Sequence, residues 1–88
     1  MKRGEIETLR FTQKMIETMN MPKNAAKGDW KERDWLELYV GLQNEVQELF
    51  SECAKEKKSP EDYERIVAEA ADVACYALML ADKFRSLE

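Results

Sequence analysis

The chain has 88 residues, 36% of them charged, with a net charge of −4 and no histidine. Such a length makes one domain, residues 1–88, whose core is small for a lone monomer. The acidity argues against a nucleic-acid polymer, which would want a basic face, but it leaves room for a small anion whose charge a metal offsets. No apolar stretch approaches the ~20 residues of a membrane span. The opening "MKRGEIETLRF" lacks the apolar core of a secretion signal, so a soluble cytoplasmic protein is expected. Cys53 and Cys75 lie inside apolar helical patterns and are expected as buried free thiols in a reducing compartment.

The first predicted helix runs from about Glu5 to Asn20. Ile6, Leu9, Ile16 and Met19 make its main apolar stripe, and Phe11 with Met15 a second, weaker one. "MNMPKNAAKGDW" then reads as a loop, because Pro22 disfavours helix at Met21 and Gly28 sits among polar residues. The second helix is predicted to start at Asp29, an N-cap with Glu32 three residues later. Trp35, Leu38, Tyr39, Leu42, Val46, Leu49, Phe50 and Cys53 follow at helical spacing, a core-facing stripe within an arc of roughly 120°. Gly41 interrupts that helix and marks a close backbone approach.

The third helix opens on "SPED", with Ser59 as N-cap, Pro60 at the first helical position and Asp62 at the third, and runs to about Ser86. Ile66, Ala70, Val73, Ala77, Ala81 and Phe84 form its expected core face. The short turn before it makes the last two helices antiparallel neighbours. No segment alternates at period two. The expectation is an all-α antiparallel bundle of three main helices, completed by oligomerisation to a homodimer or homotetramer.

Carboxylates interrupt the apolar pattern. In "EAADVACYALML" ten of twelve residues are apolar, yet Glu69 and Asp72 stand at i and i+3 on one side of the helix. Glu45 and Glu48 in "LQNEVQELF" form a second such pair, able to turn toward the first across the antiparallel hairpin. An enclosed carboxylate without a cation is costly. Four oxygen donors without His or Cys point to Mg²⁺, or Mn²⁺, rather than zinc, and the missing His argues against a di-iron bundle. The plainer reading has Glu45 and Glu48 as solvated surface, with Glu52 another exposed acid beside them. Arg65, Tyr76 and Lys83 share the stripe of Glu69 and Asp72. Lys27 and Lys83 are candidates to meet an anion, against a solvated loop lysine and a lysine suited to a helix C-terminus. Tyr76 is a candidate to touch a bound ligand, against a core tyrosine. Trp30 and Trp35 read as packing residues, with base stacking as the alternative for Trp30.

The ordered set Glu45-x-x-Glu48, twenty intervening residues, Glu69-x-x-Asp72 resembles the signature of the all-α nucleoside triphosphate pyrophosphohydrolases, the MazG-like family with its helical dUTPase relatives. "LQNEVQELF" resembles the family's Leu-x-Glu-Glu-Val-x-Glu-Leu. "EAADVACYALMLADK" is similar to its Glu-x-x-Asp-Val helix, and "NAAKGDW" to the Lys-Gly-x-Trp loop of some small members. Asn44, Cys75 and Ala26 stand where many members have Glu, Asn and His. The resemblance implies that Glu45, Glu48, Glu69 and Asp72 hold Mg²⁺, with Glu48 as the residue that instead orients the attacking water. It further implies cleavage of a nucleoside triphosphate between the α- and β-phosphates, to monophosphate and pyrophosphate. The alternative is a non-catalytic helical interaction or regulatory module, a degenerate relative of that family; a dimeric metal-binding scaffold of another chemistry is a third.

Overall fold

The structure is a computed structural model, and it describes residues 2–25, 29–56 and 58–85. Helix α1 spans Glu5–Met19, α2 is a single turn at Pro22–Ala25, a 3₁₀ turn occupies Trp30–Glu32, and the long helices α3 and α4 span Trp35–Cys53 and Pro60–Arg85. No strand occurs among the described residues, so the fold is all-α with three main helices. α4 is the central element: α3 packs along one side of it and α1 along another.

The α3–α4 hairpin is antiparallel. Trp35 meets Phe84, with ring centroids 6.2 Å apart. Gly41 meets Tyr76, and Glu52 meets Arg65, so the paired positions step in opposite directions. The turn end is fastened by a reciprocal cap. The Ser59 backbone N–H donates to Asp62 Oδ2 at 2.8 Å, and the Asp62 N–H donates to Ser59 Oγ at 3.3 Å. Around it, Lys55 bridges Glu52 at 2.8 Å and Asp62 at 3.3 Å, and Arg65 pairs with both acids as well. Glu52 is therefore half-buried and ion-paired, not a further exposed acid. The Ser59 backbone N–H, the Arg65 guanidinium, the Ser59 hydroxyl and the Lys55 ammonium hold the Asp62 carboxyl well below the usual carboxylate range.

The helix expected to be capped by Asp29 is capped by Asp34, five residues later. The chain carries two N-cap signals in succession, "DWKE" and "DWLE". Asp29 accepts from the Lys31 N–H at 2.9 Å and caps only the 3₁₀ turn, while Asp34 accepts from the Leu36 N–H at 3.5 Å and starts α3. The expected loop after α1 also differs, because Pro22 takes the first position of the α2 turn, where its missing N–H costs nothing. Asn24 Nδ2 reaches back to the Thr18 carbonyl at 2.7 Å, which also accepts from the Met21 N–H at 3.2 Å, so this last-turn carbonyl of α1 is satisfied from beyond the helix.

The packed faces differ from the apolar stripes. On α1 it is the weaker set that is half-buried, Phe11 and Met15, with Thr18 fully buried. Thr18 is satisfied there by donating to the Lys14 carbonyl at 2.9 Å. Ile6, Ile16 and Leu9, the last 65% exposed, face solvent. On α3 only Leu38 is buried; Trp35, Tyr39, Val46 and Cys53 are exposed, and Phe50 is 71% exposed. On α4 the buried apolar residues are Ala71 and Cys75, whereas Ala77, Ala81 and Phe84 of the expected core face are exposed. The reason is the central place of α4. Its small residues Ala71 and Cys75 let α1 approach, close enough for the Cys75 thiol to donate to the Met15 carbonyl at 3.6 Å. The richer apolar arcs then point away from both neighbours.

With about 100° between successive residues, these positions fix the two sides of the hairpin. On α3 the line Leu38–Glu45–Glu52 turns toward α4, and on α4 the line Asp62–Glu69–Tyr76 turns toward α3. Because the helices run antiparallel, equal offsets from these lines fall on the same side. Glu48 and Asp72 share one side, next to α1. Tyr39, Val46 and Phe50 share the other with Ala77, Ala81 and Phe84. The hairpin is acidic on one side and apolar on the other.

Candidate functional site

The acidic side gathers three carboxylates from two helices. One oxygen each of Glu45, Glu48 and Glu69 lies within 4.8 Å of the others. Glu45 and Glu48 sit one turn apart on α3, and Glu69 answers from the facing line of α4. Glu45 and Glu69 are half-buried, and Glu48 is exposed at the mouth. Oε2 of Glu45 and Oε2 of Glu69 are buried and accept no hydrogen bond from the protein. Asp72, half-buried one turn along α4, acts on the trio through its charge, which raises the pKa of both Glu45 and Glu69.

The electrostatics follow from burial and crowding. Burial, the hydrogen bond with Glu48 and the charge of Asp72 push the Glu45 carboxyl up to about 7. Glu69 is raised too, first by burial and then by its hydrogen bond with Glu48. Arg65, which shares their stripe, offers no relief, since it is held at the turn by Asp62 and Glu52. The donor set thus fits a hard divalent cation: clustered carboxylate oxygens, two of them buried without a donor, and no soft ligand among the three. Cys75, buried on the α1 side, is pushed up by burial and by Asp72, and stays a packing thiol.

No family model, curated protein or solved structure matches the chain. The structure gathers Glu45, Glu48 and Glu69, and sets Asp72 beside them. It does not bring Tyr76 or Lys83 into that cluster. Tyr76 is half-buried and brings the hydroxyl end of its ring against Gly41 of α3, where a Cβ would come within 2.7 Å of its Cζ. The close approach expected at Gly41 is therefore made by this ring. Lys83 donates to the Lys31 carbonyl at 2.9 Å and so has a partner within the fold. Lys27 lies outside the described residues, as do Ala26 and Gly28.

One residue of this region is missed by sequence reasoning. Asp82 accepts from the Trp30 indole N–H at 3.0 Å. A single hydrogen bond across 52 positions leaves no periodicity to find. The only signal is that Trp30 and Asp82 belong to the stretches "NAAKGDW" and "EAADVACYALMLADK", both singled out in the sequence. Among the described residues no helix is long and apolar enough to cross a membrane.

Proposed function

We propose that the protein is a Mg²⁺-dependent nucleoside triphosphate pyrophosphohydrolase of the MazG-like type. The observation that carries the reading is the carboxylate trio on the α3–α4 hairpin, with Oε2 of Glu45 and of Glu69 buried and lacking a donor. The resemblance of the ordered acidic pairs supplies the reaction class. Glu45, Glu69 and Asp72 would hold the metal, with Glu48 completing the set or turning to the attacking water. Exposure favours the second role for Glu48: its carboxylate stands at the solvent edge of the trio, where it can accept a proton from a water and aim that water at phosphorus. The bound cation supplies charge compensation for the phosphates, as such transfers chiefly require. Addition of water at phosphorus and departure of the terminal diphosphate yield a nucleoside monophosphate and pyrophosphate. Half-burial of Glu45 and Glu69 between two helices keeps the metal-binding oxygens fixed before substrate arrives, which lowers the ordering cost at binding.

The test is pyrophosphate release from the common deoxynucleoside triphosphates in the presence of Mg²⁺ or Mn²⁺. Release by the wild type is expected, and Asp72→Asn is expected to lose it by about 100-fold or more while keeping its helical content. A folded wild type that releases no pyrophosphate from any of them with either metal refutes the enzymatic reading.

A further inference from the structure

Three consecutive residues at the end of α4 grip the segment that leads into α3. Asp82 accepts from the Trp30 indole, Lys83 donates to the Lys31 carbonyl, and the Phe84 ring meets Trp35. These three contacts do different work. The Trp35–Phe84 pair lies on the apolar side and ties the first turn of α3. The bonds of Asp82 and Lys83 hold the 3₁₀ turn Trp30–Glu32 over the other side of α4, the side that carries Asp72. Lys83 and Asp72 share one stripe, eleven residues apart, or about 16 Å along the helix axis. The 3₁₀ turn therefore stands at the far end of the acid-lined face. Trp30 is only half-buried, and its indole N–H, a donor with no alternative use in an apolar contact, is spent on Asp82.

We propose that Asp82 and Trp30 form a clasp that fixes the 3₁₀ turn as the end wall of the acid-lined face, and that Asp82 is thereby a positioning residue for the nucleoside end of the substrate. The substrate half of the proposal rests on the pyrophosphohydrolase reading; the clasp itself does not. With phosphates held at Glu45, Glu69 and Asp72, a nucleotide extended along α4 points its nucleoside toward Tyr76 and then toward this wall. A wall held by one hydrogen bond to a carboxylate and one from an ammonium is set at a fixed distance from the metal ligands, so it selects for what fits between them. It does not touch the reacting phosphorus. Loosening it should therefore weaken substrate binding and spare the chemical step.

The variants are Asp82→Leu, which removes the acceptor, Trp30→Phe, which keeps a ring and removes the donor, and Asp82→Asn, whose amide oxygen still accepts. Two readouts are needed. The first requires no substrate: solvent exchange of the Trp30 indole N–H by NMR. Slow exchange is expected in the wild type and in Asp82→Asn, and fast exchange in Asp82→Leu. The second is steady-state kinetics with deoxynucleoside triphosphates and Mg²⁺. KM is expected to rise about tenfold in Asp82→Leu and in Trp30→Phe, the loss of one hydrogen bond to a charged group, with kcat held and with no further rise in the double variant. Asp82→Asn should recover most of the loss. Mg²⁺-induced stabilisation, which depends on the acid trio, should be the same in all of them. An indole that exchanges freely in the wild type overturns the clasp. Slow exchange that is lost in Asp82→Leu without any change in KM overturns its role toward substrate. A wild type without turnover defeats the enzymatic reading and that role with it, while indole exchange still decides the clasp. If Asp82→Leu fails to fold, Asp82→Ala gives the exchange comparison, and Trp30→Phe against the wild type gives the kinetic one.

Discussion

Glu45 holds a proton that its own helix did not ask for. Burial and three neighbouring acids lift its carboxyl to about 7, from an ordinary value of 4.5. The native state therefore binds more protons than the unfolded chain between those values, and stability must fall as pH rises through that window. This contribution is complete below about 4.5 and gone above about 7. Asp62 works in the opposite sense: its depressed value gives stability that is lost only in stronger acid. The expected outcome is a melting temperature, measured without divalent metal, that declines from pH 5 to pH 8. Mg²⁺ or Mn²⁺ should abolish the decline, because the cation replaces the proton, and metal affinity should rise over the same interval. A metal-free melting temperature that climbs with pH in that window contradicts the crowded trio. The acids themselves were legible in the sequence, since two carboxylate pairs at i, i+3 in apolar helices are conspicuous. Their unequal exposure was not, because it depends on how far each helix is rotated against the other.

At the scale of elements, what decides the α3–α4 contact is Gly41. A Cβ there would come within 2.7 Å of the Tyr76 ring, so the glycine gives up helix propensity to let the helices close. Two effects oppose each other in Gly41→Ala. Propensity returns about 1 kcal/mol. Displacing the ring in a packed contact costs about 1–3 kcal/mol. The net expectation is a loss of about 1 kcal/mol by urea titration. In a Tyr76→Ala background the same change should stabilise by about 1 kcal/mol, since only propensity remains. Equal effects in both backgrounds would show that ring and glycine do not meet. The glycine was readable as a close approach, but its partner was not. The capped start of α4 at Ser59 was likewise readable, because a reciprocal cap is written within four residues. The start of α3 was misplaced because two such caps occur in a row, and only the fold decides which one carries the long helix. On α1 the stronger apolar stripe was expected to pack. The fold uses Phe11, Met15 and Thr18 instead, since α1 meets only the narrow, small-residue side of α4.

For the whole molecule, the apolar faces and the interior are out of balance. Among the described residues the buried apolar set is Leu38, Ala71 and Cys75. Tyr39, Leu42, Val46 and Phe50, with Gln43 and Gln47, line an open groove of about 580 Å³ on the outer side of α3. A chain of 88 residues with so little interior is marginal alone, and its uncharged side is suited to another copy of itself. We expect a dimer or tetramer at micromolar concentration by light scattering. Val46→Lys, which places an ammonium in the groove, should shift the mass toward monomer and lower the melting temperature together. A stable folded monomer of the wild type would count against this. An excess of apolar faces was legible in the sequence. Which faces were in excess was not: Phe11 and Met15 are taken by α4, while the stripe of α3 that looked like core lies outside.

The turn between α3 and α4 also sets an order of assembly. Its cap and its four-membered ion network join residues 52–65, so they form from a short stretch of chain at little loop-closure cost. The three members of the carboxylate trio all stand on α3 and α4, so the hairpin can gather them without α1. We expect α1 to be the first helix to lose protection in native-state hydrogen exchange. Repulsion among the acids then weighs on closure of the hairpin itself, and a divalent cation that occupies the proposed site should speed refolding in stopped-flow measurements.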